Sequence, residues 1–159
     1  MADTTDIIKC PACDKVMKKL YIQEDDLHID ICLDGCGGIF FDNRELEKFD
    51  EKHENADKIL EAIEGKKFVQ VNDVELRICP ACGLPMVKMG AADGTVQIDV
   101  CNTCGGKFLD NGELQKIRKY KNDHQKVDNI IDGIMKTVYS DIKPNKRRMF
   151  FEKLVSKYM

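Results

Sequence analysis

The sequence predicts an α+β protein of two small three-stranded β modules, each followed by an α-helix, with a short helix at the C-terminus. Three observations carry this. The stretch "CPACDKVMKKLYIQEDDLHIDICLDGCGGIFFDNRELEKF" from Cys10 returns as "CPACGLPMVKMGAADGTVQIDVCNTCGGKFLDNGELQKI" from Cys79, and such self-similarity marks a duplicated structural unit. Within each copy, apolar and polar residues alternate at period two, as on a strand with one buried face. After each copy, apolar residues recur every three or four positions, the spacing of a helix seam.

The elements follow in chain order. In the first copy, "VMKKLYI" and "LHIDI" flank the acidic turn "QEDD" and form a hairpin, and "GIFFD" is a third strand. Asp42 and Glu45 have the i, i+3 spacing of a capping pair. The helix they open carries Leu46, Phe49, His53, Ala56, Leu60 and Ile63 on its seam and ends near Gly65. In the second copy, "MVKM" (86–89) and "VQIDV" (96–100) flank Asp93-Gly94, a hairpin signal, and "GKFLD" is the third strand. Asp110 and Glu113 repeat the capping pair. Ile117, Tyr120, His124, Val127, Ile131, Ile134 and Val138 make a longer seam, reaching about Ser140. Pro144 then punctuates, and "NKRRMFFEKLVSKYM" reads as a last helix with Phe151, Leu154 and Tyr158 on one face. The predicted domains are therefore 1–65, 66–140 and 141–159.

Each copy holds four cysteines in two pairs: Cys10 and Cys13 with Cys32 and Cys36, and Cys79 and Cys82 with Cys101 and Cys104. A Cys-x-x-Cys turn presents two thiolates to one metal ion, and two such turns facing each other complete a tetrahedral sulfur shell. Zinc suits that shell best; a rubredoxin-like iron site, disulfides and free reactive thiols are the alternatives. Gly83 and Asp14, which follow the first knuckle of each copy, tolerate the left-handed backbone that a tight knuckle needs. Gly37-Gly38 and Gly105-Gly106 supply similar freedom at the second turn. A sheet this small has too little core to stand alone. Zinc binding, worth about 10–16 kcal/mol in small peptides, supplies the missing stability. The expected fold is thus two zinc ribbons, with two zinc ions per chain.

Composition narrows the function. No apolar run approaches a membrane span, and "MADTTDIIKC" lacks the basic start and apolar stretch of a secretory signal. The expected compartment is the cytoplasm, where thiols stay reduced. Net charge is −3, but residues 1–65 carry −9 and the remainder +6, a polarity that can steer association. No catalytic constellation stands out, and four thiolates leave zinc no open position for catalysis. No enzymatic activity is expected. His28, His53 and His124 are read as structural, since both sulfur shells are complete without them.

The paired motifs "CPAC…CGGIFFDNREL" and "CPAC…CGGKFLDNGEL" resemble the bacterial TFIIB-type zinc-ribbon family over residues 9–49 and 78–118. By that resemblance, Cys10, Cys13, Cys32 and Cys36 match one ligand set, and Cys79, Cys82, Cys101 and Cys104 the other. The chain departs from the family pattern in three ways. Phe40 and Phe108 stand where Trp is frequent, Arg44 stands opposite Gly112, and "LDG" lengthens the spacer between Cys32 and Cys36. The longer spacer predicts a bulge at Gly35 with fewer amide-to-sulfur bonds, and hence a first site that sheds its metal before the second.

The function these observations favour is a structural-zinc scaffold or adaptor making protein–protein contacts, with a link to transcription that the resemblance implies. Two other classes stand beside it. One is nucleic-acid binding through the basic C-terminal half, where Lys143, Lys146, Arg147 and Arg148 lie beside Met149, Phe150 and Phe151. The other is redox or metal sensing at the Cys10/Cys13/Cys32/Cys36 site. The helix seams also offer a route to a homodimer.

Overall fold

The computed structural model of the protein describes residues 6–23, 26–42, 45, 56–92, 94–121 and 123. The chain divides into one unit ending at Arg118 and a second from Lys119 onward. The predicted C-terminal helix, His53, His124, half of the first helix seam and most of the second lie outside the described residues.

The first unit is α+β. Strands β1 (Lys18–Ile22), β2 (Leu27–Ile31) and β3 (Ile39–Phe41) form the first ribbon. Strands β4 (Val87–Ala91), β5 (Val96–Val100) and β6 (Lys107–Leu109) form the second. Helix α1 (Ala56–Ile63) lies between the ribbons in sequence, and α2 opens at residue 113 and is helical through 121. All pairings are antiparallel, and the strand order is β1-β2-β3-β6-β5-β4. The ribbons therefore meet edge to edge, β3 against β6, in one six-stranded sheet.

The third strand of each ribbon is one residue shorter at both ends than the sequence reading, and the first and fourth strands also differ from it. The first strand begins at Lys18 rather than Val16, because Val16 instead bridges to Lys9 across the cysteine knuckle. The fourth runs from Val87 to Ala91 rather than over 86–89. Met86 donates its amide to the Arg77 carbonyl and is buried ahead of the strand. Both hairpin loops have four residues, since Ile22 pairs with Leu27 and Ala91 with Val96.

The period-two pattern gives the sheet two different faces. On one, Ile29, Ile31, Ile39, Phe41, Val96, Ile98 and Leu109 pack against Ile59, Ile63, Leu114 and Ile117 of the helices. On the other, Phe40 and Phe108 sit among both cysteine clusters, Ile8, Met17 and Met86. Two cross-strand ion pairs recur on this second face, Lys19 with Asp30 at 3.0 Å and Lys88 with Asp99 at 2.9 Å. Both capping pairs form as predicted: Asp42 and Asp110 each donate their backbone N–H to Oε2 of Glu45 and Glu113, at 2.8 Å. The turn that follows α1 closes at Gly65, whose φ of 69° is left-handed. The most deeply buried side chain of α1 is Ile59, which the predicted seam skips.

Candidate metal centres

Each cysteine set converges. The four Sγ atoms of Cys10, Cys13, Cys32 and Cys36 lie within 4.8 Å of one another, as do those of Cys79, Cys82, Cys101 and Cys104. The closest pairs join opposite turns in the same way in both copies. Cys10 lies 3.4 Å from Cys36 and Cys13 3.4 Å from Cys32; Cys79 lies 3.5 Å from Cys104 and Cys82 3.4 Å from Cys101. Four thiolates on one zinc ion at about 2.3 Å stand roughly 3.8 Å apart, so these clusters fit two zinc ions. All eight cysteines are free.

Local backbone explains the convergence. In the first knuckle, Asp14 donates its amide to the Cys10 carbonyl and Cys10 donates to Lys15; Gly83, Cys79 and Leu84 repeat this. Asp14 and Gly83 have φ of 59° and 75°, the left-handed conformation their residue types predict. In the second turn the two glycines of each pair do different work. Gly37 and Gly105 are left-handed, with φ of 75° and 81°. Gly38 and Gly106 instead lie beneath an aromatic ring of the other copy. A Cβ on Gly38 would stand 2.3 Å from Cζ of Phe108, and one on Gly106 2.6 Å from Cζ of Phe40.

The thiols are poised unequally. Cys36 is pulled down to about 6, chiefly by its hydrogen bond with the Cys10 thiol and further by the Gly38 amide. That same bond, then burial, pushes Cys10 up. Burial and the Cys13 thiol raise Cys32 to about 11. In the second cluster burial works against the Cys101 thiolate, but amides of Cys104 and Thr103 outweigh it and bring Cys101 to about 7. Burial raises Cys79 and Cys104. Each cluster thus pairs one readily formed thiolate with two harder thiols, Cys10 and Cys32 in the first and Cys79 and Cys104 in the second, whose protons a metal must displace.

The lengthened turn does not lose its amide donors altogether. Cys32 still receives the Cys36 amide and Cys36 the Gly38 amide, whereas Cys101 receives Thr103 as well as Cys104. The insertion is absorbed by widening the turn. Gly37 donates to the Cys32 carbonyl five residues back, where Gly105 donates to Cys101 four residues back. Bonds on either side are conserved in kind, Cys32 to Gly38 and Cys101 to Gly106.

Sequence reasoning missed Arg77. Buried at 2 % exposure, it hydrogen-bonds the Asn72 carbonyl at 2.9 Å and both Asp110 oxygens at 3.3 Å, and its Nε lies 4.0 Å from Asp99. Its guanidinium stands 5.7 Å over the Phe108 ring. The matching residue of the first copy is Ile8, so the repeat comparison held the signal. His28 stacks on Tyr21 at 4.5 Å and takes no part in either cluster.

No helix among the described residues is long and apolar enough to cross a membrane. Neither the curated proteins nor the solved structures give a match. One family, described as "Transcription factor zinc-finger", matches residues 9–52 and 70–119. Those two regions cover more than half of the chain and each encloses one complete four-cysteine cluster, so the protein belongs to the TFIIB-type zinc-ribbon family, in two tandem copies.

Proposed function

We propose that the protein is a non-catalytic adaptor in which Cys10, Cys13, Cys32 and Cys36 hold one zinc ion and Cys79, Cys82, Cys101 and Cys104 a second. Bound zinc supplies a cross-link between the two turns of each ribbon. Four thiolates leave it no open position for substrate or water. The surface that takes a partner is the outer side of the second ribbon, along the edge strand β4, and the occupant is an extended segment of another protein added beside that strand.

One comparison carries this reading. At matching positions the first ribbon has Lys9, Lys15 and Lys18, and the second has Ile78, Leu84 and Val87. Those three apolar side chains are 49, 44 and 41 % exposed, and Leu76 and Met89 nearby are exposed too. Lysines on an edge strand discourage pairing with another chain. On the edge strands themselves the difference is Lys18, 3.1 Å from Asp34, at β1 against Val87 at β4. Lys88, which lies on β4, is engaged with Asp99. Exposed apolar surface of this kind marks interaction sites. The family description supports a partner in transcription, and the family's zinc-ribbon character supports a structural role for the metal.

The test is capture of partners from native lysate at low and high salt, with and without nuclease, using the wild type and an Ile78→Lys, Leu84→Lys, Val87→Lys variant. The reading expects a protein that survives salt and nuclease, is lost with the variant, and leaves zinc at two per chain in both. Phosphate contacts weaken steeply with salt. A partner lost to salt or nuclease would instead favour nucleic-acid binding through the basic C-terminal half. A zinc content near one per chain, or a red rubredoxin-like absorption, would overturn the metal assignment.

A further inference from the structure

We propose that the residue added between Cys32 and Cys36 seats the inter-repeat linker as a lid over the first site, and that zinc exchange with competing ligands proceeds at the second. The inference rests on the zinc reading above and reverses the order of metal loss that the spacer alone suggests.

The linker leaves α1 at Gly65 and crosses the widened turn. Val69 donates its amide to the Gly35 carbonyl at 3.0 Å. Gly35 belongs to the longer spacer, Leu33-Asp34-Gly35, which stands where the second copy has only Asn102-Thr103. The turn is folded onto the sulfurs so closely that a Cβ on Gly35 would stand 2.7 Å from Sγ of Cys13 and 2.8 Å from Sγ of Cys32. Phe68 lies flat on Gly37, its ring carbons 2.7–3.0 Å from where a Cβ would be. Glycine at both positions is what lets backbone, ring and sulfur approach.

The consequence is unequal access. Cys10, Cys32 and Cys36 are buried and Cys13 is half-buried. Cys36 borders a groove of about 440 Å³ alongside Phe68, Val69 and Val71, yet is only 2 % exposed, so a chelator cannot reach its sulfur while the linker is seated. In the second site Cys82 is exposed, as are Gly83, Asn102 and Thr103 around it. A competing ligand replaces thiolates one at a time and must first reach a sulfur. At the second site Cys82 is open to it; at the first, the most accessible sulfur is the half-buried Cys13, which lies under Gly35, so its full release waits for the linker to lift from that turn, a local opening with its own free-energy cost. The extra Thr103 amide on Cys101 bears on how tightly the second ion is held, whereas the lid bears on how fast a competitor arrives.

The experiment follows zinc release from the fully loaded, full-length chain into excess 4-(2-pyridylazo)resorcinol. Freed thiols are trapped with N-ethylmaleimide and located by peptide mass spectrometry. Two phases of one zinc each are expected, the fast one freeing Cys79, Cys82, Cys101 and Cys104, the slow one at least about tenfold slower. Phe68→Ala should speed the slow phase and spare the fast one. Val69→Pro removes the amide that Gly35 accepts, at an exposed position, and also restricts the backbone of Phe68 before it; it should do the same. A single phase, first-site thiols trapped first, or a slow phase unmoved by both variants would overturn the lid. A starting zinc content below two per chain would instead defeat the zinc reading on which it rests.

Discussion

Arg77 carries a full charge into the cluster around Phe108, where the first copy carries Ile8. Removing one partner of a buried ion cluster leaves the others uncompensated. Arg77→Leu is expected to destabilise the zinc-loaded protein by about 3 kcal/mol in denaturant titrations, the lower end of the usual cost. Lys88 still neutralises Asp99, and Asp110 retains some solvent, which together keep the loss from being larger. Glu113 offers a second measurement. Burial, with the Asp110 charge adding to it, raises its carboxyl from 4.5 to about 7, although the Asp110 amide opposes the shift. An acid with a raised folded value favours the native state when protonated. Its stabilising effect is complete below about 4.5 and is lost as pH rises through about 7. Glu113→Gln keeps an oxygen for the Asp110 amide and removes the titration. Melting temperatures of zinc-loaded protein from pH 6 to 8 should fall more for the wild type than for the variant; parallel curves would show that Glu113 does not titrate there.

The β3–β6 junction governs the element scale. Ile39 pairs with Leu109, Phe40 with Phe108, and Phe41 with Lys107. Under the repeat alignment this pattern is its own mirror, centred on the phenylalanine pair, so two ribbons meet within one chain as two subunits meet across a dyad. Each ring covers the other copy's glycine, which is why small residues occur at Gly38 and Gly106. Gly38→Ala should cost about 1–3 kcal/mol by overpacking, read as a lower denaturant midpoint. Adding Phe108→Leu should recover part of the loss, a positive coupling in a double-mutant cycle. Additive effects would show that the ring and the glycine do not bear on each other. At α1 the two residues of the predicted seam that lie deepest in the described helix, Leu60 and Ile63, are joined by Ile59, because the helix presents one flank of its stripe to the sheet.

At the scale of the whole first unit, the sheet lies between a helical layer and a layer of cysteine knuckles. Both metal clusters share the apolar surroundings of Phe40 and Phe108, so the ribbons are coupled in stability. Cys82→Ser should reduce zinc from two to one per chain by elemental analysis, because one lost ligand sacrifices much of a structural site's binding free energy. Amide exchange should then quicken across 87–109 and also at 39–41, since β3 loses the order of the neighbour it pairs with. Unchanged zinc content would show that Cys82 is no ligand; protection retained at 39–41 would show that the ribbons are independent.

Spacing and residue type alone determined the α+β class, the two four-cysteine sets, the left-handed residues after the first knuckles and the capping pairs. These depend on bonds that close within a few residues, or on a repeat whose two copies state the same pattern. Tertiary structure alone decided how the copies join, because β3 and β6 are three residues long and their partner is another copy of the same pattern. It also decided which partners Arg77 meets, since nothing near "LRICP" reports the Asp99 and Asp110 carboxylates that the fold brings to it. The spacer between Cys32 and Cys36 shows the boundary between the two. Its extra residue is plain in the sequence, but the Val69 amide and Phe68 ring that meet it come from the far side of a helix. Contacts between segments distant in sequence are set by packing, and local residue pattern carries no record of them.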